Sequence, residues 1–364
     1  DWVRSIIDAI DEHWLDDDRA GAQQLVVSHR ADIRWSLNHF AEQGDARSHG
    51  RFAFLLARAL VDRADVEIID LCRVEVGPSM EGELVRCMLA WHQGDLDAFA
   101  AMAADIGSRI DADHPLWSHF HWIRAAGSLY LGDVEATVEA GSIAATDERG
   151  YPSMRAESVA LWALGLLYNG RRDQAAAVLS DHEHILGRSG SGGFVAYTRA
   201  EVVAADDPEL AMAYLEASSA EAAAAIATFS QRLTDVSRHR LLVSAERSAE
   251  AADAALHLIP ELLQTGTAPQ AWTAMRHIAA LLGQLGHPEL GLLVLDSATA
   301  DPGAPAVTGD AVDAEARLRS GLEMASGPGD GGGGGGRSDS RTPMALAPLW
   351  GQVAGILEAV RLTA

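Results

Sequence analysis

Fourteen histidines, several acid pairs and one glycine-rich segment are the features of this 364-residue chain that could do chemistry. His119 and His121 flank Phe120, with His114 five positions earlier, and Asp181-His182-Glu183-His184 forms a second cluster. A zinc ion needs ligands that converge, which on a helix means i, i+3 or i, i+4 spacing. Residues two apart on a helix point to roughly opposite sides. Both histidine pairs have that spacing, and no His-Glu-x-x-His occurs. We therefore expect structural or solvated histidines and no metal site.

The segment Gly187-Arg188-Ser189-Gly190-Ser191-Gly192-Gly193 fits neither G-x-G-x-x-G nor G-x-S-x-G, and no strand pattern precedes it. Clusters of small residues mark loops, so it reads as a connection between two helical units. Asp16-Asp17-Asp18 and Asp206-Asp207 resemble paired catalytic carboxylates, but both stand where helices begin. There, acids accept from the open N–H groups and complement the helix dipole. Cys72 and Cys87 fit no C-x-x-C pattern. The simplest reading is a reduced, cytoplasmic protein, with a disulfide between the two as the alternative. No acid, base and nucleophile converge. The expectation is a chain without catalytic activity.

Charge removes further classes. The net charge is −24, and all 28 basic residues are arginine. Without lysine there is no P-loop and no Schiff-base chemistry. A surface this acidic repels a polyanion, so direct nucleic-acid contact is not expected. No apolar run reaches the length of a membrane span.

The elements that hold these residues are helical. Hydrophobic residues make up 48% of the chain but aromatics only 6%, with alanine and leucine dominant. Those two lose little freedom in a helix, whereas strands favour β-branched and aromatic side chains. No segment shows sustained period-2 alternation, so no sheet is expected. A glycine opening a polar helix start recurs at Gly94-Asp95, Gly132-Asp133, Gly170-Arg171 and Gly286-His287. The first three are 38 apart, and the last lies about three periods further on. Asp206-Asp207-Pro208-Glu209 falls where another unit should open, with a capping Asp and Pro at the first helical position. Seven residues before the glycines stand Cys87, Ala125, Ala163 and Ala279, all small enough for two helices to approach closely.

Each unit reads as helix, tight turn, helix. The pairs are expected at 80–109, 115–147, 153–187, 194–228, 231–265 and 269–299. A further helix is expected at 50–72. The fold class is all-α: an α-solenoid of paired antiparallel helices, a tetratricopeptide-like superhelix with a period longer than 34. The expected organisation is an N-terminal helical junction over 1–45, the repeat stack over 46–300, and a short helix with a glycine-rich flexible linker over 301–344. An amphipathic helix at 345–364 should dock back on the stack or on a neighbour. The linker expectation rests on six consecutive glycines at 331–336.

Aromatic residues carry the one site expectation. Trp91, Trp122, Tyr130, Trp162, Tyr168, Tyr197 and Trp272 all fall on the first helix of a pair. First helices of a superhelical stack tend to line its concave face, where peptides and ligands bind. These seven are candidate groove residues, and burial between repeats is the competing reading for each.

Two stretches resemble a known family. His29-Arg30-Ala31-Asp32-Ile33-Arg34-Trp35-Ser36-Leu37, running on to Gln43-Gly44-Asp45, resembles a junction motif E-x-x-N-L-R-x-A-L…G-D. That motif opens the C-terminal tetratricopeptide-like arm of signal-transduction ATPases with an NB-ARC-like (STAND) core. Arg34, Leu37, Gly44 and Asp45 match, while Asp32 and Ser36 depart from the pattern. Residues 268–286, from Ala268-Pro269-Gln270-Ala271-Trp272 to Leu285-Gly286, resemble the Q-x-W-x-x-L-R-x-L-A-x-L-L…L-G signature near the end of such arms, with Met275 for leucine. Such arms are common in actinobacterial LuxR-type and SARP-type regulators and in adenylate-cyclase-linked relatives.

The resemblance implies an arm that senses a small-molecule inducer or protein partner and controls an ATPase switch regulating transcription. ATP would bind a core absent from this chain, so no cofactor is expected here. The opening Asp1-Trp2-Val3-Arg4 lacks an initiator Met and a signal-peptide pattern. It leads us to expect an arm excised from a longer polypeptide whose ATPase core is its missing partner. The alternative is a stand-alone scaffold that gathers protein partners in its concave groove. A hydrolase or metalloenzyme is the third class.

Overall fold

Helix signals repeat along the chain because each unit supplies its own start and stop. Asp95, Asp133 and Asp207 each accept a backbone N–H from three residues on, at 3.2, 3.0 and 2.9 Å. Each thereby satisfies one open donor of the helix it caps. Gly94, Gly132, Gly170 and Gly286 all take φ between 71 and 80°. That left-handed conformation is easy only without a Cβ, and it lets one helix reverse into the next.

The structure is a computed structural model and describes residues 2–63, 79–187, 193–265, 267–326 and 342–363. Among the described residues there are nineteen α-helices and no strand. Four helices lead: α1 (Trp2–Leu15), α2 (Arg19–Ser28), α3 (Arg30–Glu42) and α4 (Ala46–Arg63). Hairpins follow. The first is α5 (Met80–Gln93) with α6 (Leu96–Gly107), then α7 (Trp117–Leu131) with α8 (Val134–Thr146). Next comes α9 (Pro152–Tyr168) with α10 (Arg172–Asp181) and the short α11 (Glu183–Leu186), then α12 (Phe194–Val203) with α13 (Pro208–Ala224). Then come α14 (Thr228–Ser244) and α15 (Ser248–Thr265), and the last pair is α16 (Ala268–Gln284) with α17 (Pro288–Ala300). Two single helices end the chain, α18 (Asp310–Ser326) and α19 (Leu346–Thr363). The expected helix over 50–72 begins earlier, at Ala46, and its part beyond Arg63 lies outside the described residues. So do Cys72, residues 188–192, where a connecting loop was expected, and the glycines at 331–336.

The chain divides into two compact units, residues 1–234 and 235–364, with the boundary inside α14. In the first, hairpin partners pack together, and first helices pack in sequence: α5 on α7, α7 on α9, α9 on α12. Cys87, Ala125 and Ala163 are fully buried where those helices meet. Gly141 on α8 is closer still to its neighbour. A Cβ there would sit 3.0 Å from the Trp162 backbone nitrogen and 3.1 Å from the Ser158 carbonyl oxygen of α9. Unit 1 also carries contacts that a simple row of hairpins lacks. Helix α1 packs on α9, and Phe229 at the start of α14 lies edge-on to Trp91 and His92 of α5.

In the second unit α15, α16 and α17 pack in order, and Ala279 is fully buried. Leu322 of α18 sits over Gly283 and Gly291, where a Cβ would meet it at 2.6 and 3.1 Å. The C-terminal helix α19 docks on α15 and α17 through Leu349, Trp350, Val353 and Leu357, all buried. Among the described residues no helix is long and apolar enough to cross a membrane.

Candidate functional site

The structure separates the seven aromatics into three settings. Trp91, Tyr130, Tyr168 and Tyr197 come together from the facing first helices α5, α7, α9 and α12. Trp91 stacks on Tyr130 with ring centroids 5.4 Å apart. The Tyr197 hydroxyl is held well above its ordinary pKa by burial first, then by neighbours that include Tyr168, its hydrogen-bond partner, Glu201 and Tyr130. Trp91 and Tyr197 are buried, and Tyr130 and Tyr168 are half-buried. Phe229 closes over Trp91, so the row leaves only the two half-exposed tyrosine rings to meet a partner.

Trp162 is half-buried and edge-on to His182 at 5.2 Å. Trp272 is fully buried in the second unit. Trp122 is buried in a quite different place, under the guanidinium of Arg58.

That place is an ionic junction between the leading helices and α9, and neither motif nor periodicity pointed to it. Glu157 of α9 receives Arg19 of α2 on one carboxylate oxygen and Arg58 of α4 on the other, the second at 3.1 Å. Arg58 also donates to the Ser153 hydroxyl at 3.0 Å. Its guanidinium carbon lies 4.9 Å from the Trp14 ring and 4.6 Å from the Trp122 ring, a double cation–π contact. All three charged residues are at most 5% exposed. Nearby, the buried Tyr151 hydroxyl donates to Asp11 of α1, which also accepts from Arg51 at 3.2 Å.

Burying three charges costs several kcal/mol per ion before pairing recovers it, so such a site specifies geometry more than it adds stability. Here it joins α2 and α4 to α9. The only trace in the sequence is Glu157, with Arg155 one of two charged residues on a helix whose later turns are apolar.

The histidine clusters do not converge. His119 lies between Phe54 and Tyr151, and His121 lies against Trp117 and Phe120. Burial, and then Arg58, pulls His119 down to about 3, so it is neutral at pH 7. His182 meets the Val178 carbonyl at 2.9 Å. Among the described residues no group of three or more His, Cys, Asp or Glu could hold a metal ion. Asp18 accepts from the Gly21 N–H at 2.9 Å and Asp207 from the Leu210 N–H, so the acid pairs sit at helix caps. Cys87 is a fully buried free thiol, pushed up to about 12 by burial, which leaves no thiolate for chemistry.

A last feature concerns the surface of the leading helices. Trp2 is 57% exposed, Leu15 55%, Val27 39% and Trp35 62%, all on α1 to α3. Trp2 meets the edge of His29, and Trp35 stacks on His39 at 5.0 Å. Trp35 lies inside the junction motif, where Leu37 is fully buried, Gly44 turns at φ 68° and Asp45 caps α4 through the Ser48 N–H.

The chain matches no family model and no curated protein sequence.

Proposed function

We propose that this chain is the sensing arm of a signal-transduction ATPase that regulates transcription in the cytoplasm. An inducer or protein partner binds the repeats, and the leading helices pass its effect to an ATPase core elsewhere in the polypeptide. The observation that carries this reading is the exposure of Trp2, Leu15, Val27 and Trp35, large apolar side chains on α1 to α3, with Trp35 inside the junction motif itself. Large rings are seldom left in water without a partner. The buried Arg19–Glu157–Arg58 junction supplies the mechanical link, since it ties α2 and α4 to the first helix of the third hairpin. A net charge of −24 keeps the arm itself off DNA.

Reading the gene upstream of the codon for Asp1 tests this directly. An NB-ARC-like core in frame supports the proposal. A start codon adjacent to Asp1 overturns it in favour of a free-standing scaffold that captures partners on the half-exposed Tyr130 and Tyr168.

A further inference from the structure

Helix α19 lacks the devices that start α6, α8 and α13. Those helices open on Asp95, Asp133 and Asp207, each accepting a backbone N–H. In α19 the Leu349 N–H closes on the Ala345 carbonyl at 3.2 Å, so an alanine stands at the cap position, and no acid lies in the first turn. Alanine offers no side-chain acceptor to the open N–H groups.

The interior of α19 is weakened as well. Gly351 and Gly355 are exposed, and a Cβ added at either would meet nothing within 4 Å. At Gly283 of α16 and Gly291 of α17, by contrast, the Leu322 side chain takes that space. In a chain dominated by alanine and leucine, α19 thus carries glycine at two places where alanine would fit freely. Each such glycine disfavours the helix about four- to fivefold relative to alanine.

What keeps α19 helical is its dock. Leu349, Trp350, Val353 and Leu357 form one stripe, are at most 9% exposed, and face α15 and α17. Polar ties stand near both ends. The Met344 N–H donates to the Ser297 hydroxyl of α17 at 2.9 Å, and Arg361 lies 4.0 Å from Asp253 of α15. Without the stripe in place, a segment of this composition has little to hold it in a helix. The helices beneath have support of their own. Helix α16 packs on both α15 and α17 and buries Trp272, Met275 and Ile278 completely.

We infer that α19 is a detachable strap. It opens and unfolds while α15, α16 and α17 stay folded, a local transition of the kind that weakly supported elements undergo. Its departure uncovers a groove on α15 and α17 that fits an amphipathic helix bearing the stripe of Leu349, Trp350, Val353 and Leu357. The inference makes no use of the sensing reading.

The test is native-state hydrogen exchange on the full chain, read by mass spectrometry over 346–363 and over 248–300. Amides of α19 should exchange at least about tenfold faster than those of α15 to α17. Gly351→Ala and Gly355→Ala touch no packing, and each should slow exchange in α19 about four- to fivefold without changing α15 to α17. Val353→Asp puts a charge in the stripe and should release α19. A fluorescein-labelled peptide of residues 342–363 should then bind the Val353→Asp chain saturably. It should bind wild type at least about tenfold more weakly, because the tethered helix competes for the same groove. Equal protection of α19 and α15 to α17 overturns the strap, and so does unchanged exchange in both alanine variants. Loss of protection across α15 to α17 on Val353→Asp overturns it too, by making α19 part of the core. A peptide that binds both chains equally, or neither, overturns the groove.

Discussion

Arg58 and Glu157, 99 positions apart in sequence, meet at 3.1 Å where neither is more than 5% exposed. Removing the carboxylate would take from two buried guanidinium groups the acceptor they share. Glu157→Gln should cost about 3–5 kcal/mol, read as a lower denaturant midpoint. Replacing Arg19, Arg58 and Glu157 together by apolar residues of similar volume should cost much less. If the single change leaves the midpoint where it was, the junction does not hold α2 and α4 to α9.

Acid should unfold this protein through its buried histidines. Burial pulls His92 and His119 to about 3 and His239 to about 4, against about 6.5 in the unfolded chain. The unfolded state therefore takes up protons first as pH falls. The stability these neutral rings contribute is whole above pH 6.5 and is lost progressively down to their folded values. At pH 5 the loss is about 2 kcal/mol per histidine. His119→Phe should move the acid midpoint of the helical signal to lower pH. An unmoved midpoint would show that His119 is not the group that titrates.

Helices α8 and α9 should tolerate nothing larger than glycine at their crossing. Gly141→Val places side-chain carbon against the backbone of Ser158 and Trp162, which cannot swing aside as a side chain could. Overpacking of this kind costs about 1–3 kcal/mol. Thermal unfolding of the variant gives the number, and a midpoint equal to wild type would mean that the two helices separate freely.

The repeated caps should be worth similar amounts wherever they occur. Asp95→Ala, Asp133→Ala and Asp207→Ala each remove one side-chain acceptor from an otherwise open N–H, at a cost of about 1 kcal/mol. Hydrogen exchange at Ala98, Ala136 and Leu210 should quicken locally in each case. Slower or unchanged exchange would assign the starts of α6, α8 and α13 to packing alone.

The helices, their turns and their buried small positions could be read before any coordinates. Gly94, Gly132, Gly170 and Gly286 turn the chain because only a missing Cβ makes their φ cheap, and Asp207 caps α13 through an N–H three residues away. Cys87, Ala125, Ala163 and Ala279 are buried because a helical hairpin repeats its contacts at its own period. These are short-range effects, settled within one or two turns of chain.

What lay beyond reach were pairings across the fold. Trp122 carried the same pattern as Trp91, yet one lies beneath Arg58 and the other stacks on Tyr130. Glu157 has two arginine partners 138 and 99 positions away. Local propensity depends on neighbours along the chain. Which charge, ring or gap faces which is decided only when distant helices pack, since desolvation and close contact are properties of the assembled interior.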